Sequence, residues 1–308
     1  MSKSSLGHPL ISILMNCYNG DTFLNEAIES VLAQTYLNWE LIFWDNQSTD
    51  FSSEIIRSYN DKRIKYFYAP SHQVLGNARI EAIKKAVGKW IGILDCDDLW
   101  YPSKLQDQVE IIEEYSKQDN PIGLIYGKVM GIDTESNEKS EIGHPNYINS
   151  ELPEGFLLNK LLLEGNFIMG PSILFNLNAF HEIGGFPKGF IAATDYYISC
   201  GISSKYQIKA VNKYIAKYRL HSNNLTRVQK IITYKEQIST FHIWYQKTNI
   251  SLGQKKKRIR ELNVFVGLMM IKYNRKYFDG IKRIVLLGSL FFCLKYVLSF
   301  FFKKLLKF

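Results

Sequence analysis

Three carboxylates fall within four residues in the run Asp95-Cys96-Asp97-Asp98, directly after the apolar stretch WIGIL. That much negative charge at a strand end is unfavourable unless a cation joins it, and hard divalent ions prefer carboxylate oxygens together with phosphate oxygens. The chemistry this allows is a metal bridging protein and diphosphate, so that a leaving group is neutralised as its bond breaks. The alternative is that Asp97 or Asp98 caps the next helix or turn. Asp45 closes a second apolar stretch, and Asn46 and Gln47 beside it offer donors and acceptors suited to a base or ribose. Asx and Ser residues in that position also make ordinary turns. Tyr18 carries a ring that can stack on a planar base or simply pack in the core or on the surface.

These residues need a scaffold that brings them together. The first hundred residues alternate strand-like and amphipathic helical runs, the pattern of βαβ units feeding a mostly parallel sheet. Expected strands are 10–15, 40–44, 64–68 and 90–94. Leu24, Ala27, Ile28, Val31 and Leu32 recur at the spacing of one helix face. Further helices are expected over 52–59, over 77–87 with Ile80, Ile83 and Val87 inward, over 103–115 behind Pro102, and over 194–203. Each polar motif then follows a strand's carboxyl end, the edge at which open α/β sheets bind ligands. From Pro121 to about Tyr218 the pattern reads as more irregular, with a turn at Gly184-Gly185-Phe186-Pro187, and beyond Leu225 it becomes helical, basic and aromatic.

The chain has 308 residues, 46% hydrophobic and 14% aromatic, which excludes a disordered protein and allows a core deep enough for a cleft. Its net charge of +9 is concentrated late, in Lys255–Arg260 and Lys303–Lys307, and points to an anionic partner. No nucleic-acid-binding module is recognisable, so a membrane surface is the expected partner and nucleic acid is not. The four cysteines form no ligand pattern and nothing near the N-terminus directs export, so a cytoplasmic location with reduced thiols is expected. Residues 284–302 are apolar for about the length of a span but contain Lys295. Three readings stay open for them: a helix lying at the membrane interface, one packed on the protein itself, or a true span.

Residues 9–115 resemble the nucleotide-sugar domain of family-2 glycosyltransferases through SILMNCYNG, AIESVLAQTY, WELIFWDNQSTD and GNARIEAIKKAVGKWIGILDCDDLWYP in that order. GGFPKGF, ATDYYISCGIS and YRLH extend the similarity to residue 221. The resemblance implies the α/β GT-A fold, a Rossmann-like, mostly parallel sheet flanked by helices with a C-terminal helical appendage. The implied division is 1–225 for the GT-A domain, with a nucleotide-sugar half 1–118 and an acceptor half 119–225, followed by a basic helical region 226–308. It further implies an inverting transferase that moves a sugar from a nucleotide diphosphate, UDP favoured, to a saccharide or lipid-linked saccharide in surface-glycan synthesis, with Mn²⁺ or Mg²⁺. Tyr18, Asp45 and Asn46 would hold base and ribose, with Asn16 among the donor-binding residues but its role open; Arg79 would lie near the diphosphate and Asp95 would be the outer carboxylate. Asp97 and Asp98 would form the DxD-type metal site, Asp98 as favoured ligand and His221 as a further contact, and Asp195 would be the catalytic base. This chain departs from the family pattern at Asn46 and Gln47, at Asn16, and at Thr194, where Glu commonly precedes the base. Those departures leave room for a non-catalytic nucleotide-sugar-binding or membrane scaffold protein.

Overall fold

The apolar runs of the first half lack period-2 alternation because they form central strands covered on both faces. In the computed structural model, which describes residues 8–116, 121–143, 146–274 and 277–287, β1 (Ile11–Cys17) and β2 (Trp39–Asp45) are buried almost end to end. Between them α1 (Asp21–Leu32) buries Leu24, Ala27, Ile28 and Val31, with Leu32 partly covered. A fully buried Leu, Ile or Val side chain contributes about 1.5–3 kcal/mol, so this one face anchors the helix firmly. Then follow α2 (Ser52–Ser58), β3 (Ile64–Tyr68), α3 (Leu75–Ile83), β4 (Trp90–Ile93), β5 (Leu99–Trp100) and α4 (Lys104–Tyr115).

The expected helix over 77–87 is displaced. α3 begins two residues earlier and ends at Ile83, and Val87, expected inward, is exposed. The Val87 amide donates to Glu40 Oε1 at 2.8 Å and the Gly88 amide to Ser12 Oγ at 2.8 Å, so the chain leaves the helix to bond β1 and β2. Gly88 is required there: a Cβ would stand 2.6 Å from both the Leu10 carbonyl oxygen and the Ser12 nitrogen.

The stretch after Pro121, expected to be irregular, is built on long strands instead. β6 (Ile122–Ile132) pairs with β7 (Glu138–Ile142); α5 (Leu158–Glu164), β8 (Leu174–Asn176), α6 (Leu177–Glu182), α7 (Thr194–Ser203) and β9 (Gln207–Arg219) complete this half. The expected glycine turn is present, Gly184 and Gly185 both having positive φ. Among the described residues the sheet has nine strands in the order β3-β2-β1-β4-β8-β6-β9-β5, with β7 beside β6. β1, β2, β3 and β4 pair in parallel, as do β6 and β9, while β8 runs antiparallel to both β4 and β6. The chain passes from β1 outward to β2 and β3 and returns on the other side as β4. The β1–β4 junction is therefore a topological switch point, where the carboxyl ends of the strands leave a crevice.

The chain divides into two compact units, Met1–Ser222 and Asn223–Phe308. The second contains α8 (Leu225–Val228), α9 (Lys230–Trp244), α10 (Leu252–Asn274) and α11 (Tyr277–Leu287). Gly267 and Gly280 let α10 and α11 approach closely, since a Cβ on Gly280 would lie 2.7 Å from the Gly267 carbonyl oxygen. No helix among the described residues is long and apolar enough to cross a membrane. Lys295, Lys303–Lys307 and nearly all of the 284–302 run lie outside the described residues.

Candidate active site

The carboxyl ends of β1, β2 and β4 form one rim. Asn19, at φ +52°, accepts the Thr49 amide at 2.8 Å on Oδ1, and its own amide donates to Ser48 Oγ at 3.1 Å, which joins the β1 and β2 loops. Gly20 joins the β1 loop to the β4 loop, for a Cβ there would lie 2.5 Å from Cys96 Sγ and 3.0 Å from Cys17 Sγ. A hydrogen bond from Cys96 holds the Cys17 thiol below its ordinary pKa, and the same contact, with burial, pushes Cys96 well above it. Cys17, Cys96 and Cys200 are free thiols, and Cys293 lies outside the described residues.

Tyr18 is half exposed and its ring centroid lies 4.2 Å from that of His72. His72 Nδ1 meets the Asn46 carbonyl oxygen at 2.9 Å. The Asn46 side chain is bonded at both ends to Gln73, donating from Nδ2 to its carbonyl at 2.7 Å and accepting its amide on Oδ1 at 3.1 Å. Asn46 thus pins the loop that carries His72. Asp45 is fully buried; it accepts the Ser48 amide at 2.7 Å and the Tyr66 hydroxyl at 2.8 Å, so it shapes the rim from within. Asn16 points a buried Nδ2 that has no hydrogen-bond partner among the described residues.

Arg79 is almost wholly buried. Its NH2 donates to Asp95 Oδ1 at 2.7 Å and its NH1 donates to Thr194 Oγ1, the first residue of α7. The guanidinium therefore ties the acidic motif to the helix that carries Asp195. Asp195 is partly exposed and accepts a hydrogen bond from Asn166 Nδ2 at 3.0 Å. Burial raises its pKa, against the Tyr196 amide, the Arg79 charge and the Asn166 bond.

The acidic run splits in two directions. Asp97 Oδ2 meets His221 Nε2 at 2.9 Å, so residues 124 positions apart in sequence share one contact. Asp98, expected as the favoured metal ligand, turns inward: it is 1% exposed, its Oδ1 accepts the Arg219 amide at 3.0 Å, and its Oδ2 has no partner among the described residues. Burial, then the charges of Asp97 and Asp95, push its pKa well above the usual carboxylate range. Arg219 braces the motif from behind. Its side chain is fully enclosed, and it donates to the carbonyl oxygens of Asp97 at 2.9 Å and Asp133 at 3.1 Å and to Glu26 Oε2 at 3.1 Å.

Among the described residues no three His, Cys, Asp or Glu side chains are arranged to hold an ion by themselves. Asp97 Oδ2 and His221 Nε2, bonded to each other, are an oxygen and a nitrogen of the kind divalent cations take. Two protein donors suffice for a Mg²⁺-like cation whose remaining ligands are water and substrate phosphates. These two residues would suit a cation whose other ligands come from a diphosphate, while Asp98 is enclosed. Sequence reasoning missed His72 and Asn166: a single His in a loop and a single Asn after a helix have no spacing to announce them.

The family model described as glycosyl transferase family 2 matches residues 12–184. An uncharacterized glycosyltransferase of Rickettsia conorii is 34% identical over 238 residues, 75% of this chain; the chain spans only 37% of that protein's length. The Escherichia coli UDP-Glc:α-D-GlcNAc-diphosphoundecaprenol β-1,3-glucosyltransferase WfgD is 32% identical over 70% of this chain and 79% of its own. Two solved structures share the fold. One is S. aureus TarS 1–349 in complex with UDP-GlcNAc, with a TM-score of 0.66 at 13% identity over 90% of this chain and 79% of that one. The other is the Pyrobaculum calidifontis mannosyltransferase PcManGT in complex with GDP-Man and Mn²⁺, with a TM-score of 0.60 at 14% identity over 96% and 80%.

Proposed function

The chain belongs to glycosyl transferase family 2 and has the GT-A fold, and from this we propose that it transfers a sugar from a nucleoside diphosphate to an acceptor hydroxyl with inversion. The observation that supports the reading is Arg79, which bonds Asp95 of the acidic motif and Thr194 at the start of the helix carrying Asp195 at once. Tyr18 and His72 flank the base, with Asp45, Asn46 and Asn16 holding the rim around base and ribose. Arg79 and Asp95 lie at the diphosphate. Asp195 accepts the proton of the acceptor hydroxyl as that oxygen attacks the anomeric carbon and the bond to the diphosphate breaks. Asp97 and His221 would hold Mn²⁺ or Mg²⁺, which when bound neutralises charge on the departing diphosphate.

A UDP-sugar is the favoured donor and a lipid-linked saccharide the favoured acceptor, in line with the substrates named for the E. coli relative. On α10 Lys256 and Lys257 are exposed and Lys255 is half-buried, and together they supply positive charge suited to the cytoplasmic face of a membrane. The residue-level test is Asp195→Asn. Transfer should fall by about 10²–10⁴-fold, the range expected for loss of a general base, while UDP binding measured by calorimetry holds. Unchanged transfer would remove Asp195 from this role.

A further inference from the structure

Asn166 follows Gly165, whose φ of +107° ends α5, and its side-chain amide is used at both ends. Oδ1 accepts the Ile168 amide at 3.1 Å, and Nδ2 donates to Asp195 Oδ2 at 3.0 Å. A main-chain N–H needs an oxygen opposite it, so the amide cannot be turned over without losing both bonds. The NH₂ group is therefore committed to the carboxylate.

We propose that Asn166 is a positioning residue for proton transfer: it fixes the rotamer of Asp195 and favours the charged carboxylate that accepts the acceptor's proton. This rests on the reading of Asp195 as the base. The other groups facing Asp195 are Arg79 from α3, Asp95 from the end of β4, and the Tyr196 amide and Cys200 thiol of its own helix; Gly170 packs against it with space to spare. Arg79 is already bonded to Asp95, so its favourable charge at Asp195 is countered in part by that of Asp95. The charge pair gives no direction to the carboxylate, whereas the Asn166 bond does. Burial alone would leave Asp195 protonated further up the pH scale, and a hydrogen bond donated to the ionised form works against that.

A purely structural Asn166 would serve only to hold the 166–168 turn through Ile168. Two variants separate the roles. Asn166→Ala removes both bonds; Asn166→Asp keeps an oxygen for the Ile168 amide but cannot donate to Asp195. The Asp195 carboxyl is titrated by ¹³C NMR in the intact chain and assigned by the loss of its signal in Asp195→Asn. In Asn166→Ala its midpoint should rise relative to native. In Asn166→Asp, hydrolysis of UDP-glucose should stay at least about tenfold below native even on the high-pH plateau where Asp195 is charged, with the donor KM unchanged. An unmoved midpoint in Asn166→Ala, or a native plateau in Asn166→Asp, would overturn the proposal. Native hydrolysis by Asp195→Asn would instead sink the base assignment, and the NMR titration would still decide whether Asn166 governs that carboxyl.

Discussion

At the scale of the residue, the site is a set of carboxylates given different environments by one sheet edge. Asp98 is enclosed, Asp97 faces His221, and Asp95 faces Arg79, so three neighbours in sequence have three separate tasks. Asp195 has its pKa raised by burial, which fixes the sign of a pH dependence. A base must be deprotonated to act, and a raised value means that this form is lost as pH falls through a point above the ordinary Asp value of about 3.9. The acid limb of a kcat/KM profile should therefore lie above that value, and a limb at or below it would contradict the assigned environment. The crowding of Asp95, Asp97 and Asp98 was legible in the sequence because like charges rarely cluster without cause. Their separate orientations were not, because they are set by Arg219 and His221 from the far end of the domain.

At the scale of the element, β1 to β4 and the face of α1 could be read directly from their apolar patterns. α3 could not be bounded, because its end is decided by Glu40 and Ser12 capturing the Val87 and Gly88 amides, a contact between segments far apart in sequence. β6 and β9 escaped for a related reason: their polar and small residues are accommodated by pairing with each other in a mixed sheet, which local periodicity does not encode. Gly88 is the sharpest test at this scale. Gly88→Ala should lower stability by about 1–3 kcal/mol in denaturant unfolding, because its methyl group meets main-chain atoms that cannot swing aside. Val87→Lys, on an exposed site, should be nearly neutral.

At the scale of the whole molecule, a GT-A unit and a basic helical unit occupy one chain with a net charge of +9. If the basic residues of α10 serve a membrane, the intact chain should sediment with vesicles containing anionic lipid and be released as salt is raised, and Lys255, Lys256 and Lys257 changed to Glu should weaken this. Equal recovery on neutral vesicles would argue against an electrostatic contact. Donor and acceptor depend on the shape of the rim, which composition does not encode. The most direct test of the central claim is turnover and binding across UDP-, GDP- and dTDP-sugars, with and without Mn²⁺, for the native chain and Asp97→Ala. The account predicts one nucleotide preferred, UDP first, with a Mn²⁺-dependent signal lost in the variant; no response to any donor, or a response indifferent to both Mn²⁺ and Asp97, would contradict it.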